Sequence, residues 1–131
     1  MLFRSDLHRL CNALRETGYR VCRVSYRPIH QRLVERVLGR RLDRPVRPES
    51  IAGVTCIRLN TPGGFDTECE AVVARCVKNG GTAVVYGHPH ALREGNAQNE
   101  RWLARFLLVV KSLKDRGLLQ VCLPGQLEAT A

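Results

Sequence analysis

The sequence predicts an α/β fold, a parallel sheet with alternating helices. Segments with apolar residues at helical spacing alternate along the chain with short apolar runs. One of those runs, Thr82–Tyr86, is continuous and bounded by glycines, which is typical of a strand covered on both faces of a parallel sheet. The length of 131 residues corresponds to one domain. We therefore expect parallel strands joined by right-handed crossovers.

Four segments have the apolar spacing of amphipathic helices. Gly18, Gly39 and Gly117 follow three of them as stop signals, and Asn79-Gly80-Gly81 forms the C-cap of the other. Asp66 and Glu68 stand where a helix start needs capping and acidic side chains. The predicted helices are 6–17, 28–38, 67–77 and 99–116.

Four apolar runs between these helices read as strands. Residues 40–50 contain Pro45 and Pro48 and are predicted to be a loop or crossover. The predicted parallel strands are Val21–Val24, Ile51–Leu59, Thr82–Tyr86 and Leu118–Leu123.

Composition argues against a membrane protein, an exported protein and a cysteine-based metal site. The longest apolar run has five residues, Phe106–Val110, so no membrane span is expected. The polar start argues against an export signal, and we expect a cytoplasmic location. The six cysteines include no C-x-x-C, and most occupy apolar positions, so we interpret them as reduced core residues.

The net charge of +9 is unevenly placed: residues 1–50 carry +7 and residues 51–131 carry +2. An Arg-rich first third would suit a polyanion, but it also suits an ordinary solvated surface, which we favour. Aromatic residues are only 5% of the chain, so stacking groups for nucleic acid are scarce and no nucleic-acid partner is expected.

Two histidines follow the predicted strand Thr82–Tyr86. They are His88 and His90, separated by Pro89, which stiffens the turn, and preceded by Gly87, which permits close backbone approach. In parallel α/β folds functional groups collect beyond the carboxyl ends of strands. A histidine there can transfer a proton near neutral pH or bind a metal.

The segment Gly80-Gly-Thr-Ala-Val-Val-Tyr-Gly-His-Pro-His90, the helix around Trp102–Leu113 and the run Leu119–Leu127 resemble the C-terminal end of a NodB-homology polysaccharide deacetylase. The resemblance covers about residues 6–128 and is sharp only after Gly80. Members of that family are distorted (β/α) barrels that use a divalent metal to remove acetyl groups from N-acetylated sugars. The resemblance implies that residues 6–131 are the C-terminal part of one such domain. Residues 1–5 resemble translated sequencing adaptor, and we expect them to be a remnant of cloning or sequencing.

By the same resemblance His88 matches the family's general acid, although many relatives have Asp where this chain has Pro89. His90, Arg93 and Glu94 are expected substrate contacts, although a solvated charge pair also explains the last two. The family's T-F-D-D-G and H-S-x-x-H motifs, which give the base and metal ligands, are absent. We therefore expect this chain alone to bind no metal and to be inactive.

Two other classes stay open. A metal-dependent amidohydrolase or phosphoesterase would use His88 and His90 as a ligand pair, but the chain has no later histidine and only Asp115 among later aspartates. A non-enzymatic Arg-rich module would bind polyanions.

Overall fold

The structure is a computed structural model that describes residues 4–24, 29–39, 46–61, 63–93 and 95–127. Helices and short strands alternate in the first half, and helices with extended segments make up the second. The elements are α1 (Arg4–Glu16), β1 (Val21–Val24), α2 (Ile29–Leu38), β2 (Glu49–Ile51), β3 (Val54–Arg58), α3 (Thr67–Asn79) and α4 (Glu100–Asp115), with 3-10 helices at Pro89–Arg93 and Pro124–Gln126.

All four predicted helices are confirmed, with ends shifted by one or two residues. The predicted cap of α3 is also confirmed: an oxygen of Asp66 accepts hydrogen bonds from the backbone N–H groups of Glu68 and Cys69. Asn99 caps α4 by accepting from the N–H of Trp102. Because α1 begins at Arg4, it includes two residues of the segment that the sequence suggests is a remnant.

The predicted parallel sheet with alternating helices, and with it the barrel, is wrong. The described residues form an open, mixed, three-stranded sheet in the order β1, β3, β2. β1 runs parallel to β3, with Cys22 opposite Cys56, whereas β2 runs antiparallel to β3. Of the four predicted strands, only Val21–Val24 is confirmed with its limits.

The predicted strand Ile51–Leu59 is broken by a tight turn. Ala52 and Gly53 have φ values of 50° and 78°, in the left-handed region. Two such residues between strands make a hairpin turn, because that backbone geometry matches the twist of the paired strands. The segment therefore folds back, and Ile51 pairs with Val54 in the hairpin of β2 and β3.

The last two predicted strands do not join the sheet. Thr82–Tyr86 is not a strand of the sheet. Side chains of Asn60 and Thr61 make three hydrogen bonds to its backbone, and the backbone of Val46 and Gly64 makes two more. Leu118–Leu123 also lies outside the sheet, and Val121 and Leu123 are 62% and 70% exposed. Apolar composition alone does not make a sheet strand, because a strand also needs a continuous ladder of backbone hydrogen bonds to a neighbour.

Two apolar clusters stabilise these elements. The first lies between α1 and the sheet, and the second lies where α3 and α4 cover the extended segment 82–86. No helix in the described ranges is long and apolar enough to cross a membrane. The buried members of the first cluster are Leu7, Cys11, Val24, Ile51, Val54 and Cys56, and those of the second are Phe65, Cys69, Val73 and Phe106.

Candidate functional site

The segment that leads to His88 is held by side chains from the end of β3. The amide of Asn60 donates from Nδ2 to the carbonyl of Thr82 at 2.6 Å, and its Oδ1 accepts from the N–H of Val84 at 2.9 Å. The hydroxyl of Thr61 donates to the carbonyl of Val84. One asparagine side chain thus bonds both to a carbonyl and to an N–H of the extended segment, as a paired strand would.

Two glycines near the histidines lie in close contact with aromatic rings. A Cβ at Gly87 would lie 2.5 Å from Cζ of Phe65, and a Cβ at Gly63 would lie 2.9 Å from the ring of Tyr86. Real Cβ atoms do not approach so closely, so a side chain at either position would force the facing ring to move. The N–H of Gly64 also donates to the carbonyl of Tyr86 at 2.9 Å. The backbone just before His88 is therefore packed on one side and hydrogen-bonded on the other.

Hydrogen bonds hold the backbone of His88 in place, while its side chain is exposed. Its N–H donates to Oε1 of Gln98 at 2.7 Å, and its carbonyl accepts from the N–H of Ala91 at 3.0 Å. The second bond closes the first turn of the 3-10 helix Pro89–Arg93, in which Ala91 is buried and His90 is exposed. The imidazole therefore reaches solvent from a well-anchored position.

His88 contacts the rings of His90 and Tyr86, and Tyr86 in turn contacts Arg23. The rings of His88 and His90 stack, with centroids 5.4 Å apart and an interplanar angle of 25°. The ring of Tyr86 meets His88 edge-on at 6.2 Å, and the guanidinium of Arg23, from β1, lies 5.4 Å from the centroid of Tyr86. These contacts limit where the His88 ring can turn.

Four residues that position His88 are not predicted from the sequence: Asn60, Gln98, Tyr86 and Arg23. Gln98 and Asn60 lie in segments predicted to be polar loop or strand end, and nothing in a single sequence shows which backbone groups their amides bind. Tyr86 was predicted only as a strand residue, although its place two residues before His88 was a signal. Arg23 was predicted as part of β1 without any contact.

The predicted substrate contacts are brought together only in part. His88 and His90 are neighbours, as the sequence suggests. Arg93 is exposed at the end of the 3-10 helix, and within the described ranges no hydrogen bond, ion pair or ring contact joins it to either histidine. Glu94 lies outside the described residues.

In the part of the chain that the structure describes, no group of three or more His, Cys, Asp or Glu side chains could hold a metal ion. Two exposed imidazoles side by side can donate or accept hydrogen bonds and transfer protons.

The Arg-rich first third does not form a site that can be described. Arg36 is exposed on α2, while Arg40 and Arg44 lie outside the described residues. Arg105 from α4 lies over the ring of Trp102 and forms a salt bridge with Glu70 of α3. These contacts explain the position of Arg105 without a ligand. The described basic residues therefore add no observation in favour of polyanion binding.

Comparison with known proteins adds no relative. No family model, no curated protein and no solved structure matches the chain.

Proposed function

We propose that this chain is the C-terminal part of a metal-dependent polysaccharide deacetylase, in which His88 is the general acid. One observation carries the proposal. The backbone of His88 is hydrogen-bonded on both sides while its imidazole is exposed beside a second imidazole. The resemblance of Gly80–His90 to the C-terminal end of members of that family indicates which reaction is catalysed.

The chemistry needs a proton donor that is held still. When an N-acetyl group is hydrolysed, the carbon–nitrogen bond of the tetrahedral intermediate breaks only as the departing amine gains a proton. A donor fixed by its backbone loses little freedom on reaching that nitrogen, which lowers the entropic part of the barrier. His88 would supply this proton, and its ring contacts with Tyr86 and His90 would orient the donating nitrogen.

The other parts of the reaction would come from residues outside this sequence. A divalent metal would activate the attacking water, and its ligands would come from the family's missing motifs, because the described side chains include no group of three or more potential ligands. His90 is exposed beside the donor, and Arg93 is exposed at the end of the same 3-10 helix. Both are proposed to contact hydroxyl groups of an N-acetylated sugar, together with Glu94. The proposal includes a cytoplasmic location.

A metal-dependent amidohydrolase or phosphoesterase is the second candidate class. It needs His88 and His90 as ligands of one ion, and the described residues contain no group of three or more His, Cys, Asp or Glu side chains that could hold one. A polyanion-binding module has no described cluster of basic side chains to support it. We therefore do not favour either.

The first experiment determines which sequence precedes Asp6 in the gene. The proposal predicts T-F-D-D-G and H-S-x-x-H in the same reading frame. A second experiment incubates the 131-residue chain with an N-acetylated amino-sugar oligomer and Zn²⁺ and measures released acetate. We expect no turnover. Turnover by this chain, or an unrelated domain upstream, would contradict the proposal.

A further inference from the structure

Three cysteines from three elements meet in the first apolar cluster, away from the His88 loop. Cys11 of α1 and Cys56 of β3 are 0% and 1% exposed, and their sulfur atoms are 3.5 Å apart. The two residues are 45 positions apart in sequence, so the fold alone brings them together. All six cysteines are free thiols in the structure.

The third thiol gives this pair a connection to solvent. Cys22 of β1 lies opposite Cys56 in the parallel register, so both side chains leave the sheet on the same face. Cys22 packs against the cluster that holds the pair but is only partly buried. Reagents from solvent therefore meet the sulfur of Cys22 before the other two.

The sulfur atoms of the buried pair are in van der Waals contact, at 3.5 Å. A disulfide joins sulfur atoms about 2.05 Å apart, so Cys11 and Cys56 need to approach each other by about 1.5 Å. Rotation about the side-chain bonds and a small shift of α1 against the sheet supply such a movement. Burial raises the pKa of the Cys56 thiol to about 12, which slows the exchange because only a thiolate attacks.

We propose that Cys11 and Cys56 are a latent disulfide, formed by exchange with a low-molecular-weight disulfide that reacts first at Cys22. The Cys22 thiolate attacks one sulfur of the reagent, which breaks the reagent's sulfur–sulfur bond and expels one thiolate. Cys56 attacks the mixed disulfide at Cys22 and expels the second. Cys11 then attacks Cys56 and releases Cys22 as a thiolate.

The overall reaction balances in atoms and electrons. Two cysteine thiols lose two protons and two electrons, and the reagent gains them to become two molecules of thiol. The product closes a loop of the chain and fixes α1 to the central strand β3, which is reversible by an excess of dithiol.

The test treats the folded chain with oxidised glutathione, blocks remaining thiols with an alkylating reagent and maps tryptic peptides by mass spectrometry. Cleavage after Arg15, Arg20 and Arg23 places Cys11, Cys22 and Cys56 in separate peptides. We expect the Cys11 and Cys56 peptides to become linked with loss of two hydrogens, and reduction to separate them. A Cys22–Cys56 link alone, or a mixed disulfide at Cys22 with Cys11 and Cys56 still alkylated at the end, would overturn the proposal.

Two variants test the route. C22A should form the same Cys11–Cys56 link several-fold more slowly, and an unchanged rate would overturn the role of Cys22. C69A is the matched control, because Cys69 is an equally buried thiol in the second cluster. It should form the link at the rate of the unaltered chain, and loss of the link in C69A would show that the link does not depend on local geometry.

Discussion

Gly87 lies so close to Phe65 that a single added carbon would fall 2.5 Å from the aromatic ring. Gly87 has no unusual backbone conformation, so this requirement is one of space only. Phe65 itself is a buried member of the second cluster and contacts Phe106 with ring centroids 6.1 Å apart. The position of His88, the next residue, therefore depends on the packing of the core.

We expect Gly87→Ala to destabilise the chain by about 1–3 kcal/mol, because the methyl group and the ring of Phe65 must move apart. Gly95→Ala is the matched control, since nothing lies within 4 Å of a Cβ there. Urea unfolding of both variants measures the effect. Equal stability of the two variants would show that the contact with Phe65 is not as close as described.

The amide of Asn60 gives a second prediction. Asn60→Ala removes a donor to Thr82 and an acceptor for Val84, and leaves both backbone groups without that partner. We expect a loss of about 1–3 kcal/mol in the free energy of unfolding. Asn12→Ala, at an exposed position of α1, should change it by less than about 0.5 kcal/mol. A loss below that limit for Asn60→Ala would mean that water replaces both bonds.

The sequence predicts the helices well because each one has apolar residues at helical spacing and a glycine close to its end. The cap at Asp66 and the glycine after each helix are local, so periodicity and caps suffice for α3 and α4. The hairpin of β2 and β3 also had a local signal, Gly53, but the continuous run of apolar residues around it favoured one long strand. The left-handed φ of Ala52 could not be predicted, because alanine rarely adopts it.

The candidate site was predictable only where the sequence itself places residues together. His88 and His90 are two positions apart, so their proximity follows from the chain. The bonds from Asn60 to Thr82 and from Gln98 to His88 join residues 22 and 10 positions apart, and they form through side chains. The pattern of apolar residues carries no information about such bonds, which is why segment 82–86 was predicted to be a sheet strand.

Alkaline pH should destabilise the chain through its buried thiols. Burial raises the pKa of Cys69 from 9.0 to about 11, and repulsion from Asp66 and Glu70 adds to the effect. Between these values the unfolded chain loses the thiol proton and the folded chain keeps it. The folded state therefore binds more protons, and its stability, complete below pH 9, falls as pH rises toward 11.

Urea unfolding under reducing conditions at about pH 8, 9 and 10 measures this slope. Cys69→Ala should make the fall shallower by up to about 1.4 kcal/mol per pH unit. Val73→Ala removes a buried side chain that does not titrate, so it should lower stability at every pH and leave the slope unchanged. The same slope in Cys69→Ala and the unaltered chain would contradict the assignment to Cys69.

The stacked histidines should differ in their contribution to catalysis. In the complete enzyme that we propose, His90→Ala removes a ring that stacks on His88 and is proposed to contact the sugar. We therefore expect a smaller fall in kcat than for His88→Ala and a larger rise in KM. Metal stoichiometry, measured alongside the kinetics, should be unchanged in both variants. Loss of metal in both would reassign the histidines as ligands.

The most direct test of the proposed general acid compares two leaving groups in the complete enzyme. An N-acetylated sugar releases an amine that needs a proton, whereas an activated aryl acetate releases a phenolate that does not. We expect His88→Ala to lower kcat for the amide by about 10²–10⁴ and to change kcat for the ester by less than about tenfold. An equal fall for both substrates, or undiminished turnover of the amide, would contradict the role of His88.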